Sequence, residues 1–481
     1  MKIKVKIYWM TSALAAIILM TACDKEEETE HYGSKKKIEV EDRKTLTQAY
    51  ENDEKGREIS FSTPAAWSSQ IREIGNVKAS SPDWISITPD KGDKAGDYKI
   101  TLNLAPNLTE TGRYAHINIL SGDDKITISV SQAGRKEEGE KNPSLSFIVL
   151  NGKTYGAKPD QRGPIGGGNG YTQIVTGGNY TVKNVEDLKD ALSKAKPGEI
   201  IFIPSDVSID LSHEMADNKI ALNIPEGITL ASDRGYNGNK GAFIKCDILF
   251  SGNLFRVTGK NVRVTGLRIQ GPDPNRNIEH HQEAFGPGGK GRDFYYTYPT
   301  SRGFQIENDK FTMDNCEMSA FSHTAIYLVK GENHSIHHNY MHHCQHMGLG
   351  YSVTLAKSNA SIEYNLFDYN RHSIAGTGVS GCSYSARNNI ELGVSLSHCF
   401  DMHGGRDRGD GTNIAGTKIE IINNTFRAPE IAIGIRGEAE EKCDIHQNWF
   451  LEHLTPQAAV MADPLRLTIK DNVYGINNKI I

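Results

Sequence analysis

The sequence predicts an all-β protein: a small β-sandwich followed by a parallel β-solenoid. Three observations predict it. First, a short phrase of the form apolar-x-x-Asn-x-aromatic returns at Asn339, Asn365, Asn389, Asn424, Asn448 and Asn472. Counted from Asn315, the steps are 24, 26, 24, 35, 24 and 24 residues, although Cys316 fits the column better. A fixed period in the twenties marks stacked repeats. Second, β-branched residues alternate with polar ones between the phrases and helical spacing is nearly absent, so the repeat is a β-coil. Third, residues 57–135 alternate in short runs separated by turn signals. The asparagine has a physical task. At one corner of every coil its amide can donate to one neighbouring coil and accept from the other, satisfying backbone groups that the turn leaves unpaired.

The chain opens on Lys2, Lys4 and Lys6, then an apolar stretch from Tyr8 to Met20, then Leu19-Met20-Thr21-Ala22-Cys23. A basic start and an apolar run make a targeting segment. The run ending in Cys23 resembles the lipobox of bacterial lipoproteins. That implies a signal peptide at 1–22 and a lipid on Cys23 that tethers the chain without spanning the membrane. The acidic patch Asp24-Lys25-Glu26-Glu27-Glu28 resembles the surface-export signal of Bacteroidetes lipoproteins, which implies a surface-exposed place on the outer membrane. Residues 23–56 are charged and poor in apolar groups, as expected of a linker. The net charge of −5 gives no argument for nucleic acid. The six cysteines after Cys23 lack zinc spacing and read as buried thiols.

Within 57–135, the order Trp84, Pro89, Gly92, Asn107, Arg113, Gln132, Gly134 resembles the BACON domain. The resemblance implies an immunoglobulin-like sandwich found beside glycan-degrading modules. Trp67 and Trp84 are either sugar-stacking platforms or core residues. Residues 136–180 read as a Gly-rich connector. A helical pattern from Val182 to Ala195 then runs into Pro197-Gly198 and the apolar strand Ile200 to Ile203. A cap covers the sheet edge and core that the first coil would expose. This arrangement resembles right-handed parallel β-helix proteins of the pectin-lyase-like superfamily, over residues 181–481.

After each Asn phrase a second strand follows. Aligning these strands on Ile326, Leu349, Ile374, Phe400 and Ile433 as inward residues puts their neighbours outward. The outward set is Tyr327, Asp401, His403 and Arg436, with Arg371 and His372 at the entry corner. At one coil per 4.8 Å, these groups are expected to converge on one sugar ring. Two insertions, 271–302 and 405–416, flank the same strands and are expected to wall a groove. The first carries His280, His281, Glu283, Arg292, Tyr295, Tyr296 and Tyr298. The second carries Arg406, Asp407, Arg408 and Asp410.

Arg371, His372, Asp401, His403 and Arg436 are therefore the candidate catalytic residues. Tyr327, Tyr351, His346, Arg406, Arg408 and Glu430 are the candidate substrate-binding residues. Ten of the 17 histidines lie between His323 and His403. His337, His338, His342, His343 and His346 match no metal motif, and a ladder of polar corners explains them equally well. Ca²⁺ is the one cofactor left open, with Asp407 and Asp410 as its candidate ligands or as members of a solvated loop.

A face rich in histidine and arginine suits an anionic polysaccharide and β-elimination at a uronic acid. That reaction needs a cation at the carboxylate, a base for the C5 proton and an acid for the leaving oxygen. Arg371 and Arg436 fit the first role, His403 or His372 the second, Tyr351 or Tyr327 the third. Two further readings stay open. A glycoside hydrolase would pair Asp401 with Glu430, Asp407 or Asp410. A non-catalytic glycan-binding surface lipoprotein would use the same groove only to hold the chain, and in each reading the protein is expected to be a monomer.

Overall fold

The computed structural model describes residues 37–41, 43–50, 54–73, 82–107, 113–133, 146–217, 221–475 and 479–480. The lipobox, Cys23 and the acidic patch lie outside these residues. The protein is nearly all β and divides into two compact units. No described helix is long and apolar enough to cross a membrane.

The smaller unit is a sandwich of a five-stranded and a three-stranded sheet. It begins earlier than its alternation suggests. Thr47–Tyr50, expected in the linker, forms a strand pairing in parallel with Ser129 to Gln132. Ile38, Leu46 and Tyr50 join its core. Few apolar residues sufficed, because Ile38, Leu46 and Tyr50 are all buried in that core. Trp67 and Trp84 are both buried core residues, not platforms. Gly92 lies where a Cβ would stand 2.3 Å from the Trp67 indole nitrogen. Arg113 covers Trp84 at 4.6 Å and donates to Gln132 Oε1 at 2.9 Å. The motif residues thus serve the fold of the sandwich.

The larger unit is a parallel β-solenoid with three faces. The first face runs from Tyr180–Thr181 to Leu467–Lys470, and the second from Ser208–Asp210 to Val473–Tyr474. The third runs from Leu222–Ile224 to Val460–Ala462. One apolar core fills the interior along its length. The helix Val185–Lys194 caps it: Asn184 accepts from the Asp187 N–H, and Leu188, Ala191 and Leu192 enter the core.

The asparagine column does what its chemistry suggests. Each Oδ1 accepts the backbone N–H of the matching residue one coil earlier, at 2.9–3.0 Å, beginning with Cys316 N to Asn339. Each Nδ2 donates to a carbonyl of that earlier coil at 2.8–2.9 Å. The residue before each asparagine from Asn339 on is left-handed, with φ between 51° and 57°. That corner turns the backbone so that its polar groups need a side chain to pair with. The six cysteines are buried free thiols.

The segment expected as a connector is, from Ser146 onward, a strap along this corner. Gly156 N donates to Gln447 O, Gly166 N to Tyr364 O and Gly168 N to Asn315 Oδ1. It therefore runs against the direction of stacking and ties late coils to early ones. Its glycines permit close approach: at Gly167, with φ +68°, a Cβ would stand 2.4 Å from the His338 carbonyl oxygen.

Candidate functional site

The third face carries the candidate residues. Its core column is Phe304, Ile326, Val353, Ile374, Phe400, Ile433 and Val460. The outward column beside it is Gln305, Tyr327, Thr354, Ala375, Asp401, Gly434 and Met461. Val353, not Leu349, is the inward residue of its coil. The corner before it is longer than in its neighbours and turns at Gly348 and Gly350, both at positive φ. Tyr327 and Asp401 share the outward column as alternation predicts. They stand three coils apart, about 14 Å at the strand spacing, so they cannot meet on one sugar ring.

A tight polar group surrounds Asp401. Its Oδ2 takes Arg436 at 2.8 Å and His403 Nε2 at 2.9 Å. Its Oδ1 lies 3.2 Å from His398 Nδ1. Burial alone would raise this carboxyl. Arg436, then His403 and the hydrogen bond from His398, outweigh burial and hold it well below the usual carboxylate range. His372 is stacked between Tyr351 and His398, with ring centroids 5.6 and 5.8 Å away. Its Nδ1 pairs with the His398 carbonyl oxygen. Burial, with Arg371 close by, pushes its pKa well below the usual histidine range, so it is neutral.

His398 is the member of this polar group that strand alternation misses. Its strand begins only at Phe400, so His398 sits in the preceding corner, where side-chain parity no longer applies. Its side chain keeps 19% of its exposure, against 4% for His403 and 0% for Asp401. Gly434 makes room for it on the next coil. A Cβ there would lie 2.6 Å from His398 Nδ1 and 3.1 Å from Asp401 Oδ1. The imidazole thus occupies the side-chain space that Gly434 leaves.

The remaining candidates divide. Arg371 is fully buried and donates to the Tyr351 hydroxyl at 3.3 Å, while that hydroxyl donates to Gly348 O. Both stand behind the exposed group and cannot touch a polymer directly. His346 is buried against Asn277, at 2.8 Å, and Asp273. Arg408 was expected to bind substrate, but its guanidinium bonds the carbonyls of Thr377, His403 and Ile414 and the Asp410 carboxylate. A short hairpin-like insertion exposes carbonyls that need a donor, and Arg408 supplies five N–H groups. Glu430 lies at the corner before its strand, next to His453, which bonds its carbonyl. Arg406 is exposed beside a cleft of about 640 Å³ shared with Thr412, Asn413 and Asp463.

Asp407 and Asp410 do not converge as a Ca²⁺ pair. Asp407 caps Gly404 N and meets Arg436 at 3.3 Å, whereas Asp410 binds Arg408 and Thr412. The clustered histidines also separate: His337 pairs with His338, His342 with His343, and His346 turns to Asp273. Among the described residues, the one set with metal-ligand spacing is His372, His398 and Asp401, whose donor atoms lie within 4.8 Å of one another. Arg436 on Asp401 and Arg371 beside His372 already supply positive charge there. That charge balance suits proton transfer and an anionic ligand better than a cation.

The first insertion covers more than it walls. Helices Ile278–Phe285 and Arg292–Tyr295 lie against the outward side of the third face. Ala284 and Tyr295 form a satellite core with Tyr327, Leu349, Tyr351 and Ala375. Tyr295 donates to the Met347 carbonyl at 2.6 Å. His280 bonds the Tyr295 carbonyl and Glu283 pairs with Lys290, so these side chains order the insertion itself. The second insertion does flank the face, immediately after Phe400–Met402.

Comparison with known proteins gives a family for one region. The BACON family model, described as "Putative binding domain, N-terminal", matches residues 75–133. No curated protein matches the chain. Among solved structures, an alginate lyase from Paenibacillus sp. str. FPU-7 is similar over 61% of this chain and 97% of its own, at 14% identity and TM-score 0.34. A protein from Bacteroides thetaiotaomicron covers 23% of this chain and 97% of its own, at 16% identity and TM-score 0.18. A Bacteroides ovatus GH5 xyloglucanase in complex with a XXXG heptasaccharide covers 57% and 65%, at 13% identity and TM-score 0.17.

Proposed function

We propose that the third face binds an anionic, uronic-acid-containing polysaccharide and cleaves it by β-elimination, with His398 as the base. One observation carries this reading. A part-exposed imidazole is held by a buried, ionised aspartate, above a glycine, beside a guanidinium. Asp401 on Nδ1 fixes the tautomer and leaves Nε2 as the acceptor, and it stabilises the imidazolium that forms. Arg436, paired with Asp401, is the cation beside the base for the substrate carboxylate, whose charge grows as C5 loses its proton. In the step, the C5–H bond gives its proton to His398 and its electron pair becomes the C4=C5 double bond. The C4–O bond breaks, and the leaving oxygen takes a proton back from His398. One imidazole can do both when the two groups leave from one side of the ring. This replaces the tyrosine acid expected earlier, since Tyr351 is buried and Tyr327 is three coils away.

Hydrolysis is the less supported reading. It requires a carboxylic acid kept protonated near neutral pH, and Asp401 is held ionised. The carboxyls that burial does raise are elsewhere: Asp368 on the second face and Glu391 in the core. The test is a panel of uronate polysaccharides followed by absorbance of the unsaturated product. The wild type should release it, and His398→Ala and Asp401→Asn should each fall by roughly 10²-fold or more. Reducing ends without absorbance would indicate hydrolysis, and retention on a glycan with neither would indicate binding alone. Full activity in His398→Ala would remove the assigned base.

In the same reading the protein is an outer-membrane lipoprotein held at the surface by a lipid on Cys23. The variant Cys23→Ala should then move from the membrane fraction to the soluble one. Retention of that variant in the membrane would sink the tether.

A further inference from the structure

The half of the third face nearer the early coils holds polar groups that the elimination chemistry does not use. Arg302 lies in the strand Ser301–Ile306, and His323 and Tyr327 lie on the next coil. The Arg302 guanidinium stands 5.7 Å over the centre of the Tyr327 ring, and the His323 ring is 6.2 Å from the same ring. Three atoms here are buried without a hydrogen bond to another described residue: Arg302 Nε, Tyr327 Oη and His323 Nδ1. Among the described residues no carboxylate answers the guanidinium. The ionisable groups acting on Arg302 are the Tyr327 and Tyr296 phenols, and it acts in turn on His323. Nearby acids are engaged elsewhere, Glu307 with Arg256 and Asp273 with His346 and Asn277.

A guanidinium in a low-dielectric site without a counter-ion is costly, and native proteins pair such groups. A buried phenol with no partner is also an exception that needs a cause. The two exceptions lie side by side; Tyr327 is buried, while Arg302 keeps part of its exposure. The missing partner is then an external acceptor. A carboxylate or sulfate suits it, since either can take two N–H donors from one guanidinium.

We infer that Arg302, seated over the Tyr327 ring, forms an anion subsite for a carboxylate or sulfate group on a glycan, four coils from the His398–Asp401 centre. The inference rests on the glycan reading of this face. It adds that charge is recognised on a sugar unit other than the one cleaved, because no single ring spans four coils. His323, neutral because burial and Arg302 depress its pKa, lines the subsite without adding charge. Tyr296, from the end of the first insertion, stands beside it.

The variants are Arg302→Gln, Arg302→Lys and Tyr327→Phe, each first checked for an unchanged melting temperature. Inorganic sulfate and free glucuronate are titrated separately by calorimetry into wild type, Arg302→Gln and His398→Ala. Binding of at least one anion should survive in His398→Ala and be lost in Arg302→Gln. Which anion binds distinguishes sulfate from carboxylate recognition. On a polymer that the wild type cleaves, Arg302→Gln should raise KM about tenfold, the value of one charge-assisted hydrogen bond, with kcat within about twofold. Arg302→Lys should restore part of the loss, and Tyr327→Phe should cost less than Arg302→Gln. Equal anion binding by wild type and Arg302→Gln would overturn the subsite while leaving the elimination reading intact. Arg302-dependent anion binding with no product from any polymer would keep the subsite and remove the elimination reading. An Arg302→Gln effect confined to kcat would also count against it, because a remote binding subsite acts on KM.

Discussion

Two sets of polar side chains are buried in this solenoid, and they are built on opposite terms. The asparagine ladder from Asn339 to Asn472 is neutral, uniform and saturated. Each amide accepts from one coil and donates to a carbonyl, with no polar atom of the ladder left over. The third face is charged, irregular and incomplete. It concentrates Arg371, His372, His398, Asp401, His403 and Arg436, and it leaves His372 Nε2, Tyr327 Oη and Arg302 Nε buried without partners among the described residues. The coil spacing is the same in both. What differs is whether the polar atoms are answered from within.

The largest effect should come from breaking the first set. Asn424 accepts from the Asn389 N–H and Nδ2 and donates to Ala386 O, Ile422 O and Asn448 Oδ1. Replacing it with alanine strands several buried groups at once, each costing about 1–3 kcal/mol. The variant Asn424→Ala should lose roughly 3–5 kcal/mol in urea unfolding, while activity per folded molecule stays near that of the wild type. A loss of less than about 1 kcal/mol would show that water replaces the ladder and that its saturation is not what holds the corner.

How much of this contrast was legible in the sequence follows from the same physics. The ladder was, because a repeat that must present one amide per corner writes itself at a fixed interval; even the substitution of Cys316 for asparagine showed in its offset. The convergence of Asp401, His403 and Arg436 was also legible, because Phe400 and Ile433 set the side-chain parity of their strands. Parity failed where the backbone leaves the strand. Gly348 and Gly350 extend one corner, which moved the inward position from Leu349 to Val353. His398 lies before its strand starts, so alternation said nothing about it. The fate of Arg408 was not readable either, since a surface arginine and one spent on three carbonyls look alike in a row of letters. The strap was hidden in its composition. A glycine run reads as a loose connector, yet Gly167 is small because the corner of the ladder passes at 2.4 Å from where its Cβ would be.

A smaller effect should come from a polar side chain that belongs to neither set. Glu391 falls in the inward column of the second face, between Phe367 and Phe426, in line with Phe450 and Tyr474. It has no ladder and no opposite charge beside it among the described residues; the Ser373 hydroxyl favours its ionised form, and the carboxyls of Asp368 and Glu430 oppose it. Burial therefore pushes its pKa well above the usual carboxylate range, and it is a neutral acid in the core. The sign for stability follows. In the unfolded chain a glutamate ionises near pH 4.3, while in the fold it keeps its proton, so the native state binds more protons above that pH. Each such group removes stability as pH rises, by up to about 1.4 kcal/mol per unit, until the folded form also ionises. Asp368, pushed up to about 8 by burial, acts with the same sign. Glu391→Gln removes the ionisation and keeps the shape. It should leave stability unchanged near pH 4 and raise it by roughly 1–3 kcal/mol at pH 8, read as the difference between two urea curves at each pH. A variant as unstable as the wild type at pH 8 would mean that Glu391 ionises freely, which requires a partner or water in the core beside it.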